Sequence, residues 1–240
     1  MKKQGVLPYI VEILKRADAI TAWAGLPLVV ETMRALGLDR LVRKHVHVRK
    51  RERGYSETKQ VEAFVQLMAS GGECIEDIEI LKADAGLCRL VGDLPGADAA
   101  RNFLYEFHDD ELIKKAQASR TKDQVAYIPE ENEALQGLAK VNVGLVHRVA
   151  AQGNCTRATL DHDATIQESH KREAQFHYKG GRGYQPSVIY WAEQDLVLAD
   201  EYRDGNVPAA MSNLPLIKRG FAILPETITS RPSAATKGAS

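Results

Sequence analysis

Thr159-Leu160-Asp161-His162-Asp163-Ala164-Thr165-Ile166 is the stretch on which the fold of this chain turns. Apolar and polar residues alternate through it. Leu160, Ala164 and Ile166 fall on one side, and Thr159, Asp161, Asp163 and Thr165 on the other, which is the period of a β-strand. Such a strand sets two carboxylates side by side on one surface. Hard divalent cations take oxygen ligands, and two-metal phosphoryl transfer holds its ions about 3.5–4 Å apart on rigid elements. A D-x-D pair by itself also fits surface acids. Its place inside an apolar strand makes it a candidate for metal binding. His162, between the two, is expected to point to the opposite face as a packed or hydrogen-bonded side chain.

Upstream the period is helical. Val61, Phe64, Val65 and Met68 recur at i, i+3, i+4, i+7, with Ser56 as an N-cap and Gly71-Gly72 as a stop. Ile75, Ile78 and Leu81 continue the spacing. Asp98 is placed to cap a helix burying Ala100, Phe103, Leu104 and Phe107. Pro129-Glu130-Glu131 suits a helix start, followed by the stripe Leu135, Leu138, Val141, Leu145. Gly153-Asn154 ends it.

Downstream comes a loop rich in glycine and basic residues, Lys179-Gly180-Gly181-Arg182-Gly183-Tyr184. It lacks the G-K-[ST] ending of a nucleotide-binding loop. Either it is a glycine-rich turn into a strand, or its backbone approaches a phosphate with Lys179 and Arg182 adding charge. Ser187 to Ala192 and Leu196 to Tyr202 are β-rich and joined closely enough for a hairpin. Asp204-Gly205-Asn206 is turn chemistry. Pro208 to Leu224 reads as helical in part, interrupted by Pro215. His170 and His177 have no metal-like partner spacing and are expected in solvent.

The chain has 240 residues, 44% of them hydrophobic, with 32 basic and 32 acidic side chains and no net charge, so any DNA contact rests on local patches. The most basic stretch, His45 to Arg53, offers Arg49, Lys50, Arg51 and Arg53 to phosphates, or is a solvated loop. Cys74, Cys88 and Cys155 are too scattered for a disulfide framework or a zinc site, and are expected to be buried and reduced. No run approaches the ~18 apolar residues that span a bilayer. A cytoplasmic protein without a membrane partner is expected.

Taken in order, Asp163-Ala164-Thr165, the Tyr178-Lys179-Gly180 to Gly183-Tyr184-Gln185-Pro186 stretch and Arg203-Asp204-Gly205-Asn206 resemble the D-x-T, glycine-rich and R-x-G-N motifs of DDE-superfamily insertion-sequence transposases. Asp77 to Asp84 and Arg101 to Phe107 resemble helical motifs of the same family, so the likeness runs from about Leu26 to Ser230. It implies an α+β protein. A helical, DNA-binding region over residues 1–153 precedes an incomplete ribonuclease H-like core over 154–230, with the first three strands and a helix; the near-absence of apolar residues over 231–240 adds the expectation of a disordered tail. It implies Asp163 as the first catalytic, metal-binding carboxylate, with Asp161 open as the alternative ligand. Mg2+ or Mn2+ is the implied cofactor, and transposon-end DNA the implied partner.

In that family the helix leads into a strand ending in a second catalytic Asp, and much later comes a helical Glu. Here Thr227 to Arg231 stands where that strand begins, and Pro232 to Ser240 holds no acid. The expectation is a truncated, catalytically defective copy. Its first strand would keep an open edge, favouring a homodimer or association with intact transposase. The alternative is a non-catalytic DNA-binding fragment that interferes with the intact enzyme. An unrelated metal-dependent phosphohydrolase using Asp161 and Asp163 lacks further ligand motifs.

Overall fold

The computed structural model describes residues 20–49, 53–119, 126–228 and 235–236. Helices α1 (Leu26–Ala35), α2 (Leu38–His45), α3 (Glu57–Ala69), α4 (Ile78–Ala83), α5 (Ala85–Val91), α6 (Ala97–Tyr105), α7 (Asp110–Ser119) and α8 (Glu133–Ala150) precede the strands. Then follow β1 (Leu160–Ala164), β2 (Gln167–Glu168), β3 (Gln175–Phe176), β4 (Arg182–Tyr184), β5 (Ser187–Trp191), β6 (Leu196–Glu201), α9 (Asn213–Ile223) and β7 (Ala235–Thr236). The change from helix to strand falls between Ala150 and Leu160, and the protein mixes helix and sheet. None of the described helices is long and apolar enough to cross a membrane.

The chain divides into two compact units, residues 1–34 with 52–103, and residues 35–51 with 104–240. In the first, Ser56 caps α3 by accepting from the Lys59 amide at 3.2 Å, as its position predicts. The buried side of α3 differs from the expected stripe. Ala63 and Leu67 are buried together with Gln60, Glu62 and Gln66, whereas Met68 is exposed. Glu62 tolerates burial because Arg34 and Lys59 reach it at 3.5 and 3.8 Å. Asp98 does not cap α6. It sits inside the first turn, and the Glu79 carboxylate accepts from the Ala97 amide at 2.6 Å instead. Cys74 is exposed and Cys88 half-buried, so the cysteines are not the small core residues expected; all three are free.

In the second unit, α8 begins at Glu133, later than Pro129 suggested. Asn132 makes the cap by accepting from the Leu135 amide at 2.9 Å. The main sheet runs β6-β5-β1-β7. β1 and β5 pair antiparallel over five residues from Leu160↔Trp191 to Ala164↔Ser187, and β5 pairs antiparallel with β6. Asp195, at φ 57, makes the tight β5–β6 hairpin. The inner face gathers Leu160, Ile189, Trp191 and Ala199 against Val146 of α8 and Leu216 and Ile223 of α9. Pro215 does not interrupt α9. It lies in the first turn, where a helix amide has no acceptor and the missing N–H costs nothing.

Two expectations change here. The outer edge of β1 is not open: Ala235 and Thr236 pair with it in parallel, opposite Asp161 and His162. These two residues belong to the tail expected to be disordered, and the remainder of that tail lies outside the described residues. The supposed loop before β5 is a second sheet, of order β2-β4-β3, antiparallel throughout.

Candidate functional site

The β1 strand alternates as its sequence predicts. Leu160 and His162 are buried, Asp163 is exposed and Asp161 half-exposed. Register puts Asp163 beside Val188 and Val188 beside Asp200, so Asp161, Asp163, Tyr190 and Asp200 share the face opposite the α9 core. The Thr165 hydroxyl donates to Asp163 Oδ2 at 2.9 Å. This gives the D-x-T spacing a local meaning, since the threonine fixes the rotamer of the aspartate two residues back. Two residues along a strand are roughly 7 Å apart, so both carboxylates reach one cation only by leaning towards it. Both offer the hard oxygens that Mg2+ or Mn2+ takes. Among the described residues no cluster of three or more His, Cys, Asp or Glu side chains is arranged to hold a metal.

Behind this face runs a buried polar layer that the sequence did not reveal. His162 Nε2 lies 2.6 Å from Ser187 Oγ, and the Ser187 hydroxyl also lies 3.4 Å from the carbonyl of Asp163. Burial and the Arg203 charge hold the His162 imidazole below its usual range, against the pull of Asp163 and Glu201. Arg203 is only 1% exposed. Its Nε donates to Glu201 at 2.5 Å, and its Nη1 to the carbonyl of Met211 at 2.8 Å and to Asn213 Oδ1 at 3.1 Å. The arginine of the R-x-G-N stretch is therefore an internal strut between the end of β6 and the start of α9.

The remaining motif residues meet one another. The Gln185 amide donates to the Arg203 carbonyl at 2.9 Å, and the Gly205 amide to the Gly183 carbonyl at 3.1 Å. Tyr184 and Asp204 form an isolated antiparallel bridge. A Cβ at Gly183 would stand 2.3 Å from the Gln167 carbonyl oxygen. One at Gly205 would stand 2.6 Å from that of Gly183 and 2.8 Å from that of Gln175. These glycines let three backbone segments cross at close range. Lys179-Gly180-Gly181 is the tip of the β3–β4 hairpin, with Gly180 at φ 93, so the glycine-rich stretch is a turn between strands.

Of the other predicted site residues, Lys179 and Arg182 are exposed at this hairpin. The Arg182 guanidinium carbon lies 4.7 Å from the Phe176 ring centroid, and Lys179 Nζ lies 5.7 Å from that of Tyr178. Arg49 is half-buried and Arg53 exposed, while Lys50 and Arg51 lie outside the described residues. His170 is exposed as expected, but His177 is not: it is 5% exposed, its Nδ1 accepts from the Lys179 amide at 3.2 Å, and Gly181 packs over its ring. No spacing in the sequence signals this, because the ring is held by a hairpin of two- and three-residue strands.

A cleft of about 540 Å3 opens elsewhere in the same unit. Leu112, Ile113, Leu135 and Leu138 line it, and Asp200 and Asp204 stand at its edge. Asp200 is exposed, yet the desolvation imposed by the protein around it pushes its carboxyl up, against the pull of Arg219. Asp161 and Asp163 are not among its lining residues.

Comparison with curated proteins and with solved structures finds no match. The family model described as transposase DDE domain group 1 matches residues 10–232, a span that holds the D-x-T, glycine-rich and R-x-G-N stretches together. The chain belongs to that family of DDE transposases.

Proposed function

We propose that this transposase-family chain binds the ends of a mobile DNA element and that Asp163 is the first metal-binding carboxylate of its strand-cleavage chemistry. Asp161, on the same face, is the alternative oxygen donor to that cation, Mg2+ or Mn2+. The observation that carries this reading is the D-x-T unit: an exposed aspartate on β1 whose carboxylate is oriented by Thr165. The order β6-β5-β1-β7, with α9 between β6 and β7, supports a ribonuclease H-like core, in which the fourth strand lies beside the first. Arg49, Lys50, Arg51, Arg53, Lys179 and Arg182 are the proposed phosphate contacts.

Two carboxylates on one strand neutralise a pair of divalent ions poorly, because such ions take at least six ligands each and the transferred phosphate adds further negative charge. This polypeptide alone therefore binds DNA ends and transfers strands negligibly. Band shifts on the terminal sequence of its element, with nicking followed in Mg2+ and in Mn2+, check both parts. The expected result is a salt-sensitive complex without cleavage. Neutralising Arg49, Lys50, Arg51 and Arg53 together lowers the slope of log affinity against log salt by up to about 0.9 for each phosphate that no longer has a cation beside it. Robust nicking by the isolated chain would overturn the catalytic part. Binding unchanged in the fourfold variant would remove that stretch from the interface.

A further inference from the structure

We propose that the exposed face of the small β2-β4-β3 sheet is a stacking platform for the unpaired bases of single-stranded DNA. Phe176 on that face and Tyr178 at the adjoining hairpin tip serve as the rings, with Arg182 and Lys179 beside them as the cations for the phosphates. The proposal deepens the DNA-binding reading above and rests on it for the nature of the ligand.

Register sets the face. Phe176 pairs with Arg182, and Tyr184 lies two residues beyond Arg182 on β4, so the three side chains project to the same side. Tyr202 extends the row, its ring centroid 5.0 Å from that of Tyr184. The opposite side is sealed where Gly183 meets Gln167 and Gly205. Phe176, Tyr178 and Tyr202 are 61, 66 and 56% exposed. A sheet with two- and three-residue strands that needed these rings for its own stability would bury them. It leaves them in water, each of the first two with a cation beside it.

Charge points to the occupant. Residues 167–184 carry Lys171, Arg172, Lys179 and Arg182 against Glu168 and Glu173, an excess of positive charge in a chain that is neutral as a whole. Exposed rings interleaved with cations match a chain of bases and phosphates. Every base has a π-face to stack, and arginine adds a cation–π contact. A paired duplex keeps its bases inside the stack and cannot use the rings, so the ligand is an unpaired strand.

The test uses the full chain in EDTA, which removes any metal contribution. The probe is an oligothymidylate of about 12 nucleotides carrying one 2-aminopurine, with a blunt duplex bound in parallel. A Phe176→Leu, Tyr178→Leu double variant keeps apolar bulk and the sheet but has no π-face, and Phe176→Tyr is the conservative control. Relative to the duplex, the double variant loses affinity for the single strand about tenfold or more and loses the fluorescence quench, whereas Phe176→Tyr keeps both. A single-strand to duplex ratio unchanged in the double variant overturns the platform while leaving the DNA-end reading intact. A quench that follows the rings, with no binding of element ends, upholds the platform and overturns the DNA-end reading.

Discussion

Arg203→Ala is expected to lower the stability of the unit carrying β1 by about 3 kcal/mol, read as a shift of the urea midpoint. The guanidinium ties together the Glu201 carboxylate, the Met211 carbonyl and the Asn213 side-chain oxygen, and is 1% exposed. Removing it leaves the Glu201 carboxylate without its cation and the Met211 carbonyl without a donor, and the cost of breaking a buried pair is dominated by the group left behind. Glu201 keeps 20% of its side-chain exposure, which holds the loss to the lower end of the usual range. Arg203→Lys fails nearly as badly, since one ammonium cannot replace the fork that bonds through Nε and Nη1 together. Adding Glu201→Gln to Arg203→Met recovers much of the loss. A drop of less than about 1 kcal/mol in Arg203→Ala would contradict the strut.

Gly183→Ala is the second large effect, at about 3 kcal/mol, the upper end of what overpacking costs. The new methyl meets backbone, with the Gln167 carbonyl oxygen 2.3 Å away and the Glu168 Cα 3.2 Å away, so no rotamer change relieves it. β2 must separate from β4, and the loss appears in the urea midpoint together with faster proteolysis between Ala164 and Pro186. Gly205→Ala acts in the same place through the Gly183 and Gln175 carbonyls. Gly153 is the contrast: its nearest neighbour is 3.8 Å away, and alanine there changes stability by less than about 0.5 kcal/mol. Equal effects at positions 183 and 153 would show that close backbone crossing is not what the motif glycines serve.

The parts of this protein legible in its sequence are those with a strong local period. β1 and β5 alternate over five residues and read from their own pattern, whereas β6 reads from its apolar run and breaks alternation at Leu198-Ala199, where its register with β5 shifts. The Ser56 cap and the aspartate pair on the outer face are equally local. What the sequence hid depends on distant partners. Gln175-Phe176 and Arg182-Gly183-Tyr184 are too short to show a period, and only their pairing makes them strands. Glu62 reads as a surface acid until Arg34 and Lys59 stand beside it. The burial of Arg203 and His177 follows from contacts made across the turn and the hairpin, which no spacing records. Pro215 reads as a helix breaker for a local reason, because its tolerance depends on how many residues precede it in the helix.

Within the main sheet β1 has a partner on each side. On one side a five-residue ladder joins β1 to β5; on the other, among the described residues, Ala235 and Thr236 pair with Asp161 and His162. The β1–β5 ladder closes over Leu160, Ile189 and Trp191, so its separation exposes the apolar interior and amounts to unfolding of the unit. The central amides of β5, paired on both sides, therefore exchange with deuterium only when the whole unit unfolds. The carboxylate face thus lies on a strand anchored through its β5 border to the apolar interior, and fast exchange at the centre of β5 would show that anchor to be loose.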